Sequence, residues 1–149
     1  MSKLEKLRAT FEQLHIDGLL ITSNYNRRYM TGFTGTAGVA LVSKTKAIFI
    51  TDFRYTEQAA AQCPDFEIVK HTASIFEEVA KVAKEIGITK LGFEQDTLTF
   101  ASYKQYEQKC EAELVPISGV IEKLRLIKSS AEIKILKEAA KIADAAFEH

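Results

Sequence analysis

Residues 38–51, Gly-Val-Ala-Leu-Val-Ser-Lys-Thr-Lys-Ala-Ile-Phe-Ile-Thr, decide the fold because they contain two strand-forming runs joined by a short connection. The runs at 38–42 and 47–51 are rich in β-branched and other apolar residues, which favours extended structure. Only Ser43 to Lys46 separate them, and a connection of about four residues is too short for a crossover helix. The stretch therefore predicts an antiparallel β-hairpin.

Further apolar runs alternate with amphipathic segments along the chain. The runs at 18–21 and 47–50 are apolar at consecutive positions, which is typical of strands that helices cover on both faces. Alternating strands and helices predict an α/β fold, to which the hairpin adds antiparallel pairing. We expect a three-layer α/β/α domain with a mixed β-sheet. Its strands are predicted at 18–21, 38–42, 47–51, 66–69, 91–93 and 114–117.

Helix starts are marked by Ser-x-x-Glu, the pattern of a capping box. It occurs at Ser2/Glu5, Ser74/Glu77 and Ser129/Glu132. Behind the first two, apolar residues at steps of three and four predict one stripe on each helix. The stripes are Leu4, Leu7, Phe11 and Leu14, and Phe76, Val79, Ala80, Ala83 and Ile86. Further helices are predicted from Phe53 to Gln62 with Asp52 as N-cap, from Thr99 to Lys109, and as a connector leaving the domain at 118–128.

The final segment has a sustained apolar stripe, formed by Ile133, Leu136, Ala140, Ala143 and Phe147. No Gly, Asn or Pro closes the pattern before His149, which is typical of a helix that continues. We therefore expect residues 1–124 to form an N-terminal domain and residues 125–149 to be a connector and the first helix of a truncated following domain. The alternative is a natural terminal helix that docks on the domain and frays.

The bulk composition is that of one globular domain. The 149 residues are 46% hydrophobic and 27% charged, with seven Gly and two Pro. Twenty basic residues balance twenty acidic ones, so no net field attracts nucleic acid or anionic lipid. No stretch approaches the ~20 apolar residues that span a bilayer, and the N-terminus has no apolar signal segment. We expect a cytoplasmic protein with neither nucleic acid nor membrane as partner.

No metal or acid/base constellation is recognisable. Cys63 and Cys110 stand alone and the three histidines are scattered, without the close spacing that a zinc site requires. Glu94 and Asp96 are near each other but have no partner base or metal. We therefore expect neither a metal site nor a bound cofactor in this chain.

Residues 26–38, Asn-Arg-Arg-Tyr-Met-Thr-Gly-Phe-Thr-Gly-Thr-Ala-Gly, form the most distinctive stretch, with glycines at intervals of three. Glycine tolerates positive φ and close backbone approach, so we expect a tight loop here. A phosphate loop would end in Gly-Lys-Ser/Thr and a dinucleotide fingerprint would open a helix, whereas these glycines lead into a strand. Nucleotide binding is therefore not predicted.

Two other clusters have simple structural explanations when taken alone. The segment 51–55 lies at a strand-to-helix junction, where Asp52 would cap the helix and Arg54 and Tyr55 would face solvent or pack on the sheet edge. The segment 125–133 would be a connector followed by a capped helix.

Taken together and in order, the motifs resemble the creatinase N-terminal domain of the pita-bread metallopeptidases, the family of prolidase, aminopeptidase P and creatinase. The resemblance covers essentially the whole chain. It rests on Tyr29-Met-Thr-Gly-Phe-Thr-Gly-Thr-Ala-Gly38, Thr51-Asp-Phe-Arg-Tyr55 and Arg125-x-x-Lys128-x-x-x-Glu132-Ile133. It implies a mixed sheet with helices on both sides. It also implies a dinuclear metal site, built from two Asp, one His and two Glu, in a later pita-bread domain. No part of that pattern exists in this sequence.

The function implied by the resemblance is that of the non-catalytic N-terminal domain of a metal-dependent Xaa-Pro peptidase, either a dipeptidase or an aminopeptidase. The parent enzyme would bind two divalent ions, manganese foremost, that activate a water and polarise the scissile carbonyl. Its partners would be a C-terminal catalytic domain of the same chain, a second subunit and short proline-containing peptides, and this fragment alone would be inactive. Two alternatives stay open: the N-terminal domain of a creatinase-type amidinohydrolase, and a free-standing α/β module that binds a small ligand or a protein.

The resemblance also places the glycine loop, because in these dimeric enzymes the N-terminal domain of one protomer borders the catalytic cleft of the other. We therefore expect a substrate rim and interface formed by Arg27, Arg28, Tyr29, Phe33, Arg54 and Tyr55. An arginine there would pair with the free carboxylate of a short peptide. The alternative is that the glycines only serve the turn and the arginines are solvated.

Overall fold

The computed structural model describes residues 2–126, within which lie six strands and seven helices. The strands are β1 Gly18–Ile21, β2 Val39–Ser43, β3 Ala47–Thr51, β4 Glu67–Lys70, β5 Lys90–Glu94 and β6 Glu113–Ile117. The helices are α1 Lys3–Arg8, α2 Phe11–Leu14, α3 Asn24–Thr31, α4 Thr56–Gln62, α5 Ile75–Glu85, α6 Phe100–Lys109 and α7 Val120–Leu126. In this part of the chain no helix is both long and apolar enough to cross a bilayer.

The six strands form one mixed sheet in the order β4-β3-β2-β1-β5-β6. Strand β2 pairs antiparallel with β1 and β3, with Val39 opposite Ile50 and Val42 opposite Ala47. The pairs β3/β4, β1/β5 and β5/β6 are parallel. The predicted hairpin and the mixed sheet are therefore confirmed, and the α/β class with them.

Helices cover both faces of the sheet, and successive side chains along each central strand point into opposite cores. On β1, Leu19 and Ile21 belong to the core under α1, α2, α3, α4 and α7, whereas Leu20 belongs to the core under α5 and α6. On β2, Val42 and Leu41 divide in the same way. Every residue of β1 and β2 is buried, which explains their consecutive apolar residues.

The capping signals mark helix starts but not helix lengths. The Ser2 hydroxyl accepts from Glu5 N at 3.1 Å, and the Ser74 hydroxyl accepts from Phe76 N at 3.1 Å. The apolar stripe predicted a single first helix, and this prediction is wrong. The segment forms two helices, α1 and α2, with a break between them. Thr10 causes the break, since its hydroxyl donates to Leu7 O at 2.7 Å and its N–H also bonds to Leu7 O.

The helix predicted at 99–109 is confirmed as α6, with the Thr99 hydroxyl capping it. The predicted connector begins as α7, whose Ile121 and Leu124 are buried in the core, so this helix belongs to the domain. The capping pattern at Ser129/Glu132, the stripe from Ile133 to Phe147 and the rest of the segment 127–149 lie outside the described residues. The boundary proposed at 124/125 stays a prediction.

Two carboxylates join β1 to β5 at opposite ends of the parallel pair. At the amino end, Asp17 accepts from Thr89 N at 3.0 Å, from the Thr89 hydroxyl at 2.7 Å and from Lys90 N at 2.8 Å. At the carboxyl end, Glu94 accepts from Thr22 N at 2.8 Å and from Ser23 N at 3.0 Å. Partial burial raises the pKa of Asp17, but the hydrogen bonds from Thr89 and Lys90 outweigh it, so the pKa lies below its ordinary value.

We predict that Asp17→Asn lowers the free energy of unfolding by about 1 kcal/mol at pH 7, a value discounted for the partial exposure of the carboxylate. Because the pKa is lower in the folded state, this stabilisation is present above the unfolded-state pKa of about 4 and is lost as the pH falls through the folded-state pKa. Urea unfolding of both chains at pH 7 and pH 3 measures the difference, which should shrink at pH 3. Asp65→Asn, at an exposed loop position, is the control and should show no such change. An Asp17→Asn effect of equal size at both pH values would contradict the prediction.

Candidate functional site

The candidate residues of two separate motifs meet at one edge of the sheet. Five strands end at this edge, and β2 begins there because it runs in the opposite direction. The loop 32–38 leads into β2, and the segment 52–55 leaves β3. The hydroxyls of Thr36 and Tyr55 are 2.7 Å apart, and Thr51 Oγ1 donates to Ala37 O at 2.7 Å. The structure therefore joins the glycine loop to the 51–55 cluster.

The prediction of one loop from residue 26 to residue 38 is wrong in its first half, which forms α3. The Ser23 hydroxyl caps this helix by accepting from Asn26 N at 3.4 Å, and Gly32 ends it at φ 86°. An apolar stripe does not mark α3, because its buried face includes the polar residues Asn26, Arg27 and Thr31. The loop proper therefore spans 32–38.

Arg27 lies beneath this loop and is not presented to solvent. Its side chain is 4% exposed. Its guanidinium donates to Gly38 O at 2.7 Å and to Gly35 O at 2.8 Å, while the buried Nε has no hydrogen-bond partner. Burial lowers the pKa of Arg27. The expectation that the loop presents this arginine is therefore wrong, since Arg27 binds the carbonyls of the loop from the inside.

Phe33 is also buried, at 1% exposure. Its ring centroid lies 4.6 Å from that of Phe49 and 5.7 Å from that of Tyr55, in an edge-to-face arrangement with the latter. A Cβ at Gly35 would clash with the Phe33 ring, so glycine is required for this close approach. Phe33 therefore anchors the loop in the core and does not form an exposed rim.

Arg28 and Tyr29 lie on α3 itself. Arg28 is exposed, and within residues 2–126 no carboxylate lies at ion-pair distance from it. Tyr29 is half-buried and donates its hydroxyl to Leu124 O at 3.2 Å, while the Lys3 ammonium lies 4.2 Å from its ring centroid. Tyr29 therefore connects α3 to α7 and α1.

Asp52 and Arg54 form an ion pair where β3 ends. Arg54 Nε donates to Asp52 Oδ1 at 3.0 Å, and Arg54 Nη2 donates to Asp52 Oδ2 at 2.8 Å. These hydrogen bonds lower the pKa of Asp52 and raise that of Arg54. The predicted capping by Asp52 is wrong, because its carboxylate accepts from Arg54 N and Tyr55 N bonds to its carbonyl. The resulting turn delays the helix, which begins at Thr56 with Tyr55 as N-cap.

A polar cluster that sequence reasoning missed surrounds Asn26. Asn26 Nδ2 donates to Glu94 Oε2 and to Glu122 Oε1, both at 2.5 Å, and Arg125 donates to Asn26 Oδ1 at 3.3 Å. Together with the bonds from Glu94 to Thr22 N and Ser23 N, the cluster joins β5, α3 and α7. The sequence contains no local signal for it, because the three side chains that bond to Asn26 lie 68 to 99 residues from it in the chain. Within residues 2–126 no three His, Cys, Asp or Glu side chains are grouped to hold a metal ion.

The family model of the Creatinase/Prolidase N-terminal domain matches residues 3–127. The chain belongs to this family. In sequence it is 60% identical over 148 residues to "Uncharacterized peptidase YqhT" of Bacillus subtilis, covering 99% of this chain and 42% of the relative. It is 28% identical over 152 residues to a Xaa-Pro dipeptidase of Pyrococcus horikoshii, covering 97% and 40%. The chain thus spans about two fifths of the length of these relatives.

Solved structures of the family have the same fold. The Xaa-Pro dipeptidase from Bacillus anthracis superposes with a TM-score of 0.89 at 61% identity, covering 99% of this chain and 41% of that chain. The N-terminal domain of the cytoplasmic peptidase PepQ from Mycobacterium tuberculosis superposes with a TM-score of 0.74 at 36% identity, covering 81% and 96%. The fold described for residues 2–126 is therefore that of the N-terminal domains of this family.

We predict that Arg27→Met lowers the free energy of unfolding by about 1–3 kcal/mol, because Gly35 O and Gly38 O lose their donors while the methionine keeps much of the packing volume. Arg28→Met is the matched control on the same helix. It should change stability by no more than about 0.5 kcal/mol, because Arg28 is exposed. Urea unfolding of the three chains measures both effects. Equal effects of the two substitutions would show that Arg27 does not support the loop.

Proposed function

We propose that this chain is the N-terminal domain of a metal-dependent Xaa-Pro peptidase, in which it shapes substrate access and takes part in dimerisation. The observation that carries the proposal is its 61% identity and TM-score of 0.89 to a Xaa-Pro dipeptidase along 99% of the chain. In the proposal the hydrolytic chemistry belongs to a C-terminal catalytic domain, and the enzyme is a cytoplasmic homodimer.

The described residues do not fit the two divalent ions, manganese foremost, that the proposed enzyme would use. Within residues 2–126 no three His, Cys, Asp or Glu side chains are grouped to hold a metal ion, and three of the carboxylates have other partners: Asp17 and Glu94 accept backbone N–H groups, and Asp52 pairs with Arg54. We therefore assign the ions to the catalytic domain and give the described residues no step in hydrolysis. This chain alone should be inactive towards Xaa-Pro peptides.

The contribution of this domain is proposed to be a rigid rim for the cleft of a second subunit. The loop 32–38 is suited to this role because Arg27 holds its carbonyls, Phe33 anchors it in the core and Thr36 bonds to Tyr55. A loop held in this way limits the length of a bound peptide without having to be ordered at each binding event.

Arg28 and Arg54 are the exposed arginines among the rim candidates. Two nitrogens of the Arg54 guanidinium, Nε and Nη2, already donate to Asp52. Arg28, in contrast, has no carboxylate partner in residues 2–126. Arg28 is therefore the side chain proposed to pair with the free carboxylate of a dipeptide. A longer peptide would carry its carboxylate past this position.

A chimera tests the function. This chain would replace the matching N-terminal segment of the Bacillus anthracis Xaa-Pro dipeptidase, and hydrolysis of Ala-Pro would be measured with manganese for the chimera and for this chain alone. We expect hydrolysis by the chimera and none by the chain alone. Hydrolysis by the chain alone, or a folded, dimeric chimera without activity, would refute the proposal.

Within an active chimera, Arg28→Ala should raise KM for dipeptides about two- to fivefold, as expected for loss of one exposed charge pair, and should leave KM for longer peptides nearly unchanged. Lys46→Ala is the matched control, because Lys46 is exposed in the β2–β3 turn at the opposite edge of the sheet. Equal KM changes for the two peptide lengths, or for the two variants, would rule out the role of Arg28.

A further inference from the structure

A cleft lies between the carboxyl ends of the parallel strands β3 and β4, outside the glycine loop. Its volume is about 440 Å³. It is lined by Asp52, Phe53, Arg54, Lys70, His71, Thr72 and Ala73. The carboxyl ends of parallel strands are the edge at which open α/β sheets usually bind ligands. The volume is in the range of small-molecule sites.

The side chains of the cleft leave it positively charged. Both oxygens of its carboxylate, Asp52, are bonded to Arg54. Within residues 2–126 no carboxylate lies at ion-pair distance from Lys70, so its charge is not compensated there. The ring of His71 lies beside the cleft, with its Nδ1 3.0 Å from Ala73 O. An anionic ligand is therefore favoured.

Two of the backbone N–H groups that line the cleft are engaged within the domain. Arg54 N donates to Asp52 Oδ1 at 3.0 Å, and His71 N donates to Thr51 O at 2.9 Å. The cationic side chains are therefore the main groups that an anion meets here, and a carboxylate is a suitable partner for them.

The wall of the cleft provides an apolar contact beside these charges. Phe53 is 77% exposed, although it lies two residues after the buried Thr51 and directly after the partly buried Asp52. Such an exposed ring offers a flat surface to an apolar or planar group attached to the anion. The cleft therefore combines the positive charge of Lys70 with the exposed aromatic ring of Phe53.

We propose that this cleft binds the carboxylate of a small molecule with an apolar body, either a free organic acid or the C-terminus of a short peptide. Lys70 attracts the carboxylate, His71 lies beside it, and Phe53 contacts the apolar body. The site belongs to this chain and does not depend on the proposed peptidase function, since binding is measured without any hydrolytic activity.

Benzoate is the first probe, titrated into the ¹⁵N-labelled 149-residue chain while amide shifts are recorded. We expect saturable shifts at residues 53–54 and 70–73, and binding of neutral benzamide at least about tenfold weaker, because it lacks the charge. Phosphate should bind no more tightly than benzoate. Ala-Pro and its C-terminal amide then distinguish the two sources: binding of Ala-Pro that the amide lacks indicates a peptide C-terminus, and binding of benzoate alone indicates an organic acid.

Lys70→Gln tests the assignment of the cleft. Lys70 is chosen over Arg54 because substitution of Arg54 would leave the Asp52 carboxylate unpaired, which would add a negative charge to the cleft. Lys70→Gln should weaken benzoate binding about fivefold, as expected for loss of one exposed charge. Lys46→Gln, the same change at the opposite edge of the sheet, should leave the affinity unchanged. The proposal is overturned if the cleft amides do not saturate, if benzamide binds as tightly as benzoate, or if the two lysine variants behave alike.

Discussion

The parallel pairing of β1 with β5 holds the two halves of the domain together. These strands are more than 70 residues apart in sequence, and they bring the N-terminal hairpin unit and the later βαβ unit into one sheet. Asp17 accepts backbone N–H groups at one end of the pair and Glu94 at the other. Because each carboxylate satisfies donors that the strand ends leave unpaired, the register is defined at both ends.

The reversed direction of β2 decides at which edge of the sheet the candidate residues collect. Since β2 starts where its neighbours end, the glycine loop before it reaches the edge that also holds the Asp52–Arg54 turn, the cleft at β4 and the Asn26 cluster. A fully parallel sheet would place the start of β2 at the other edge. One edge of the sheet therefore holds the glycine loop, the Asp52–Arg54 turn, the cleft and the Asn26 cluster together.

Arg27 shows how a charge can be used inside a domain without an opposing carboxylate. Its guanidinium is buried against two carbonyl oxygens and the face of Phe33, with ring and Cζ 5.6 Å apart. Backbone dipoles are weaker partners than a carboxylate, so this arrangement costs desolvation energy and leaves Nε unsatisfied. The result is a loop whose shape is held from within, which a surface arginine would not achieve.

Local periodicity, short connections and capping side chains were sufficient to predict the class of the fold, the hairpin, and the starts of α1, α5 and α6. The sequence also determined the family, through motifs that are contiguous in the chain. It did not reveal α3, whose buried face is polar, or the burial of Arg27 and Phe33, or the Asn26–Glu94–Glu122 cluster. Those features became visible only in the three-dimensional structure, because each depends on partners that distant segments supply once β1 and β5 have paired.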